Sequence, residues 1–509
     1  MPAIAARTGS RVGFVVPCFY DGPEPYSPGI PFRSLPVATA LERAGHEVVY
    51  FEQKRFGRPL NEGLPGFLEA IGGAPVVFIW QTDLTPMQQT AHTFEIARAV
   101  KERHPGVAVA AGGAFVHLCT PEVLAEETPV DYWIRGYGEE ACVDLVDAIL
   151  GRRGFDGISG LTWLNGGQRA NDVHLRQRLK PEHVTFYETL DLEPYVQRGG
   201  IFGNEEKTLI VGSGRGCAKG CAFCYHAGQE PSLLPPETIV SIAARARRDH
   251  GVKQFHLAEF DFLTNRHRAL ALARLWRDAL PDCRWYTLCS PIDAIRLTDA
   301  EWDVLAAGGC AKLEIGAESG SKAMLDAIGK KHDPDDPYRI ATRMLSHGIT
   351  PMVNFIFGLL GEKETDRRAS LGLIRRIHRL APGRIHFTFR LFQPVWATPM
   401  GDAAIARTPG YPRRLSDVLT YRAGFGDESE RAMMWLEPED EARVKRMIFY
   451  YLPIAVSVPE IPSGWRHRLY VLLRAAARLR IALGYFGLGA DRWLYRRCVS
   501  QALPTTYCA

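Results

Sequence analysis

The sequence lacks an excess of charge of either sign: 61 lysines and arginines stand against 57 acidic residues, a net of +4 with histidine neutral. That balance leaves no electrostatic footprint for a nucleic acid. No run approaches the roughly 18 uninterrupted apolar residues of a bilayer-crossing helix. The opening stretch from Met1 to Arg11 lacks the apolar core of about 7–15 residues that a secretion signal needs, so a cytoplasmic location is expected. Internal repeats and low-complexity tracts are missing as well. Cysteine is not scarce, at eleven residues, but a disulfide framework is what it fails to suggest. The count is odd and the residues are scattered except for one tight cluster, the usage of a reducing compartment.

What is present reads as a folded protein of several units. A hydrophobic share of 46% and a charged share of 23% are those of a globular chain, and 509 residues correspond to about three domains. Over residues 1–150, strands at 12–16, 46–51, 76–80, 107–111 and 132–134 alternate with helices, which predicts a parallel, doubly wound sheet. Residues 151–205 read as a linker with a small hairpin at the Asn165-Gly166 turn. A second alternating series follows over 206–400, with strands near 208–213, 253–258, 284–289, 312–317, 350–357 and 384–391. Helical stretches such as Pro236–His250 and Arg266–Ala279 separate them. Six β/α units predict a partial parallel barrel. Residues 401–509 read as a helical domain. Its stretch from Trp465 to Arg497 sets eight arginines against the single acid Asp491, with leucines at helical spacing. It is either a helix packed on the barrel or one that meets a membrane surface.

The chemistry concentrates in Gly214-Arg-Gly-Cys217-Ala-Lys-Gly-Cys221-Ala-Phe-Cys224-Tyr-His226. Three thiolates this close can hold three irons of a cubane, and with no fourth cysteine nearby one iron stays open to a substrate. A zinc knuckle closed by His226 is the competing reading. The position after the first strand of the predicted barrel favours the cluster, because barrel chemistry sits at that face.

The gaps between these cysteines resemble the signature of radical S-adenosylmethionine (SAM) enzymes, and Phe223 matches the aromatic residue usual before the last cysteine. The resemblance implies that Cys217, Cys221 and Cys224 hold a [4Fe-4S] cluster that binds SAM. It extends through the barrel. Glu259 or Asp261, after the second strand, would accept from the SAM ammonium; Ala258 stands where an acid is common, and the choice between the two stays open. Glu318 and Ser319, ending Gly309-Cys-Ala-Lys-Leu-Glu-Ile-Gly316-Ala-Glu318-Ser319, would bond the methionine part or the ribose of SAM. Glu314 and Cys310 are expected to pack or to face out. Asn354 of the fifth strand is expected to be a cofactor contact; it precedes Gly358-Leu-Leu-Gly361-Glu362, which resembles a nucleoside-side loop with Leu360 in place of proline.

The first 150 residues resemble the cobalamin-binding domain joined to such barrels, with Thr82, Gly112, Gly113, Gly136 and Gly138 as the implied cobalamin contacts. Asp172-Val-His174 comes nearest to an axial-histidine motif but lacks its glycine, so cobalt is expected to carry no protein histidine. His117 and His174 are assigned packing or surface roles. The remaining cysteines, Cys18, Cys119, Cys142, Cys283, Cys289 and Cys310, read as small buried hydrophobes, and Cys498 and Cys508 do not make an auxiliary cluster.

The resemblance implies a cobalamin-dependent radical SAM methyltransferase acting on an unactivated carbon of a small molecule. It would use the [4Fe-4S] cluster, SAM and cobalamin, and an external electron donor of the flavodoxin or ferredoxin type. Two alternatives remain: a cyclase or rearrangement enzyme that makes the same radical without methyl transfer, and a sensor without turnover.

Overall fold

The computed structural model describes residues 9–17, 30–53, 60–82, 86–164, 167–174, 178–199, 202, 204–418, 433–456, 464–486 and 489–498. The Asn165-Gly166 turn, Cys18 and Cys508 lie outside them. The chain divides into two compact units. The first comprises residues 1–217, 228–258 and 410–421; the second comprises 218–227, 259–409 and 422–509.

In the first unit, strands β1 (Arg11–Val16), β2 (Glu47–Glu52), β3 (Val76–Gln81), β4 (Ala108–Gly113), β5 (Tyr132–Ile134), β6 (Leu161–Leu164) and β7 (Gln168–Ala170) form one sheet in the order β2-β1-β3-β4-β5-β6-β7. The pairs from β2 to β5 are parallel, and the reversal of direction at β1 is that of a doubly wound sheet. β3 is buried along its whole length, which is why it reads as a continuous apolar run. Residues 151–205 are not simply a linker, because β6 and β7 extend this sheet as antiparallel strands.

The core on one face gathers Val12, Phe14, Val37, Leu41, Phe78 and Trp80. Trp80 explains two of the glycines. A Cβ on Gly138 would lie 2.1 Å from its ring, and one on Gly112 would lie 2.3 Å from it. Gly138 also has φ +90, a region that disfavours L side chains. Gly138→Ala is therefore expected to destabilise this unit by roughly 2–5 kcal/mol, combining overpacking and backbone strain. Gly151→Ala, at φ +72 with open space around it, should cost only the backbone share of about 1–2 kcal/mol. Equal shifts in denaturation midpoint for the two variants would show that Trp80 does not set the requirement.

The first unit also contains β8 (Gln197–Gly199), β9 (Asn204–Gly212), the hairpin of β10 (Gly214–Cys217) and β11 (Gln229–Leu233), and β12 (Gln254–Ala258). β9 pairs antiparallel with β8 and parallel with β12. In the second unit β13 (Arg284–Cys289), β14 (Cys310–Glu318), β15 (Thr350–Phe357) and β16 (His386–Leu391) pair in parallel and in sequence. Counted along the chain, β9 and β12 to β16 are six parallel strands, with helices Pro236–His250, Arg266–Ala279, Asp299–Ala307, Asp336–Ser346 and Glu364–Leu380 between them. These are the strands and crossovers of a partial (β/α)6 barrel. Exposure alternates along β15: Val353, Phe355 and Phe357 are buried, while Met352, Asn354 and Ile356 are only partly so. One face of the strand is therefore buried, and the other, with Met352, Asn354 and Ile356, stays partly accessible.

After Thr398 the described residues form no further strand, and helices Pro399–Ile405, Pro438–Arg446, Trp465–Leu483 and Ala490–Cys498 belong to the second unit. No helix among the described residues is long and apolar enough to cross a membrane.

Candidate active site

Cys217 closes β10, and Cys221 and Cys224 follow in the loop that leaves it. None of the three is in a disulfide and all are partly exposed, unlike Cys119, Cys142, Cys283, Cys289 and Cys310, which are buried. Glycine is needed before the first thiol: Gly216 has φ +77, and a Cβ there would meet the Glu230 carbonyl of β11 at 2.3 Å. The loop is anchored by backbone bonds, Ala222 N–H to the Ile328 carbonyl at 2.9 Å and Met400 N–H to the Ala222 carbonyl at 3.0 Å. Phe223 sits between the second and third cysteines and packs beside Met324, Leu325 and Met400.

Lys330 lies in the environment of Cys221. Burial alone would lower its pKa, but Glu318 and Cys221 together hold the ammonium above the usual lysine value. A nearby cation favours the thiolate, the form that binds iron. Among the described residues no three His, Cys, Asp or Glu side chains converge on a point where a single metal ion would sit. The His226 ring lies against those of Tyr225 and Phe260 at centroid distances of 3.6 and 3.5 Å, with the planes tilted by 43° and 34°. A cubane gives each thiolate its own iron, so its ligands need not converge as zinc ligands do. The three partly exposed thiols, close together in the chain, suit a [4Fe-4S] cluster on that ground.

The acids around the loop are paired. Glu259 forms a buried ion pair with Arg268 at 3.1 Å. Asp261 accepts from the Ser290 N–H at 3.0 Å and faces Lys219 at 3.4 Å. Burial raises its pKa to about 6, against the opposing effect of the Ser290 bond. Glu318 stands where β14 bulges past β15, with φ +59, and its carboxylate meets Lys330 at 3.1 Å. Lys330 also donates to the Gly316 carbonyl at 3.1 Å. Ser319 is fully buried. Its hydroxyl lies 3.2 Å from that of Ser370 and accepts from the Ser321 N–H at 3.1 Å.

Sequence reasoning missed a polar group on the barrel wall. Of the two expected placements Glu314 takes the packed one, buried on β14, and there Tyr286 of β13 and Asn354 Nδ2 of β15 each donate to its carboxylate. Burial raises its pKa, partly offset by the Asn354 bond and by Arg390. Asn354 Oδ1 is buried without a hydrogen-bond partner among the described residues, and such an atom calls for a ligand or a water. The only sequence signal was a polar residue on each of three successive strands, offset by two residues in register from one strand to the next.

In the first unit, the turn containing Gly136 and Gly138 presents Tyr137 and Glu139. Arg215, two residues before Cys217, pairs with buried Glu139 and lies 3.9 Å over the Tyr137 ring. Tyr137 also donates to Gln229 of β11 at 3.3 Å. The glycine turn and the root of the cysteine loop thus form one bonded group, which no local motif disclosed. Gln229 Nε2 lies 3.3 Å from His117, whose pKa is lowered to about 4 by burial and then by Arg135. His117 is therefore a neutral, half-buried ring, and His174 is exposed. Thr82 is held by Gln89, which accepts from its N–H at 3.1 Å and donates to its hydroxyl at 3.2 Å. Gly113 follows Gly112 at the end of β4 with φ +108.

Residues 26–146 match the B12 binding domain family, and residues 211–374 match the Radical SAM superfamily. An uncharacterized methyltransferase of Pyrococcus horikoshii is 26% identical over 291 residues, covering 56% of this chain and 61% of that one. An anaerobic magnesium-protoporphyrin IX monomethyl ester cyclase of Synechocystis sp. is 24% identical over 169 residues, 31% of this chain and 32% of that protein. The matches span less than two thirds of these relatives' lengths. Among solved structures, the radical SAM methyltransferase TsrM from Kitasatospora setae superposes with a TM-score of 0.65 at 18% identity, covering 97% of this chain and 99% of that one. The cobalamin-dependent radical SAM enzyme OxsB superposes with a TM-score of 0.66 at 14% identity, covering 92% and 76%.

The chain joins a B12-binding domain to a radical SAM domain and belongs to the cobalamin-dependent radical SAM enzymes. The two domains imply cobalamin and SAM as its cofactors, with the cysteine loop as the place for a [4Fe-4S] cluster.

Proposed function

We propose that this enzyme transfers a methyl group from methylcobalamin to an unactivated carbon of a small-molecule substrate. The observation that carries the reading is the union of a B12-binding domain with a radical SAM domain in one chain. The bound cofactors supply the radical and the methyl group, and the protein contributes orientation and exclusion of water. In this reading Cys217, Cys221 and Cys224 hold the cluster, Phe223 packs beside it, and Glu259 or Asp261 together with Glu318 and Ser319 fix SAM. Thr82, Gly112, Gly113, Gly136 and Gly138 belong to the cobalamin side, an external flavodoxin- or ferredoxin-type protein supplies electrons, and turnover takes place in the cytoplasm.

The substrate lies against the open face of β15. Asn354 Oδ1 accepts a hydrogen bond from a donor group of the substrate, while Met352 and Ile356 contact its apolar part. Asn354→Ala should lower kcat/KM roughly tenfold to a hundredfold, the value of one buried bond in a network that includes a carboxylate. Because Glu314, itself held by the Tyr286 hydroxyl, accepts from that amide, Tyr286→Phe should give a smaller loss in the same parameter. An unchanged kcat/KM for Asn354→Ala removes the interior wall from the substrate site.

Incubation with methyl-labelled SAM, cobalamin and a strong reductant tests the reaction. Each methylated product should be accompanied by one S-adenosylhomocysteine and one 5'-deoxyadenosine, and deuterium at the attacked carbon should appear in the latter. A product of unchanged carbon count would instead assign the cyclase reaction, which the relative from Synechocystis favours.

A further inference from the structure

We propose that helix Trp465–Leu483 and the segment after it bind the surface of an anionic lipid bilayer. The helix carries two apolar faces. Tyr470, Leu473, Ala477 and Ile481 are buried and hold it to its own unit, where Tyr470 donates to the Ile454 carbonyl at 3.2 Å and Arg478 to the Ala455 carbonyl at 3.0 Å. The opposite face is the unusual one. Trp465, Leu472, Leu479 and Leu483 recur at spacings of seven, seven and four residues, which on a helix places them in one stripe. They are 62%, 68%, 60% and 65% exposed.

This is not the scatter of single apolar residues found on any surface. Of the eleven large hydrophobic side chains that are exposed among the described residues, eight lie between Trp465 and Leu494, including Val471, Tyr485 and Trp493. A concentration of that kind marks an interaction surface.

Charge decides what covers it. Residues 465–497 contain eight arginines and one acid. That acid, Asp491, is already engaged by Arg480 at 2.7 Å. Arg466, His467 and Arg468 are exposed at the start of the helix, and Arg497 is exposed near the end of the segment. Arg466 lies over the Trp465 ring and Arg497 over the Trp493 ring, at 5.5 and 5.3 Å. An exposed stripe of Trp and Leu rimmed by arginine is the composition of a helix lying in the plane of a bilayer interface. Anionic headgroups neutralise the arginines while the stripe enters the acyl boundary. A second copy of the chain would bring the same arginines face to face across an isologous interface, which like charge opposes.

The test uses the full-length holoenzyme in flotation with vesicles of phosphatidylcholine alone and vesicles enriched in phosphatidylglycerol. Binding is expected to the second kind at low salt and to fall with rising salt. Leu472→Glu/Leu479→Glu/Leu483→Glu, all at exposed positions, should reduce binding at least about tenfold without moving the melting temperature. Arg466→Glu/Arg468→Glu should weaken it while the three leucines of the stripe stay unchanged. Trp465 emission should shift to the blue on vesicle addition, and Trp465→Phe should remove that component. Failure of the wild type to float with anionic vesicles at low salt overturns the proposal. So does unimpaired binding by the triple variant, or a wild-type dimer that the triple variant converts to monomer in the absence of lipid.

Discussion

Replacing Cys217, Cys221 and Cys224 together with alanine should leave a folded chain that holds no iron, lacks visible charge-transfer absorbance and forms no 5'-deoxyadenosine from SAM. Loss of fold is not the expected cause, because the three thiols are only partly buried and the loop that carries them is fixed by backbone bonds through Ala222. Removing a partly exposed Sγ opens no core cavity, so the melting temperature of the metal-free protein should move little. Activity depends on the thiolates themselves, since they are what binds the irons. Cys289→Ala and Cys310→Ala serve as the opposite control. Both residues are buried on strands, with pKa values pushed up by burial, so they should cost stability and leave iron content intact. A triple variant that kept its full iron after anaerobic reconstitution would overturn the assignment. Equimolar zinc in the wild type, lost in the triple variant, would revive the mononuclear site.

The same contrast shows what kind of information the sequence carried. The strands of the first sheet were legible because β1 and β3 are buried on both sides, and burial on both sides demands an unbroken apolar run. The cysteine loop was legible because its ligands are neighbours in the chain. Glu314 was not, since its two donors come from strands 28 and 40 residues away. Alternation within a strand shows that two faces differ, without showing which one opens onto a cavity. Arg215 and Glu139 are 76 residues apart, and only the folded hairpin of β10 and β11 brings them together. That hairpin itself was illegible: Gly214-Arg-Gly-Cys217 and Gln229-Glu-Pro-Ser-Leu233 have neither β-branched residues nor apolar alternation. The glycines differ again. A glycine after a parallel strand reads as room for a cofactor, and the sequence did not show that at Gly112 and Gly138 an added Cβ would also meet the ring of Trp80. Ser319 is similar, a polar residue at a strand end whose hydroxyl turns inward to Ser370 of helix Glu364–Leu380.

The Glu318–Lys330 pair yields the second large effect. Both side chains are close to fully buried, at 10% and 12% exposure, and Lys330 follows Gly329, where a Cβ would meet the Gly220 carbonyl of the cysteine loop at 2.5 Å. Lys330→Met keeps the length of the side chain but leaves the Glu318 carboxylate buried without its cation. Breaking a buried pair from one side costs about 3–5 kcal/mol, and Glu318 already sits at φ +59, a conformation that costs a non-glycine residue about 1–3 kcal/mol. The single variant should therefore be strongly destabilised in urea titrations. Glu318→Gln/Lys330→Met, which removes both charges, should recover most of that loss, because an unpaired buried carboxylate costs more than the attraction between the two groups contributes. Recovery of stability separates folding from cofactor binding. If Glu318 also fixes SAM, the double variant will be as stable as the parent, with a full cluster, yet will bind SAM at least about tenfold more weakly, the loss of a charge-assisted bond. A stable double variant with unchanged SAM affinity would make the pair a strut for the strand end and the cysteine loop, and would remove Glu318 from the SAM contacts.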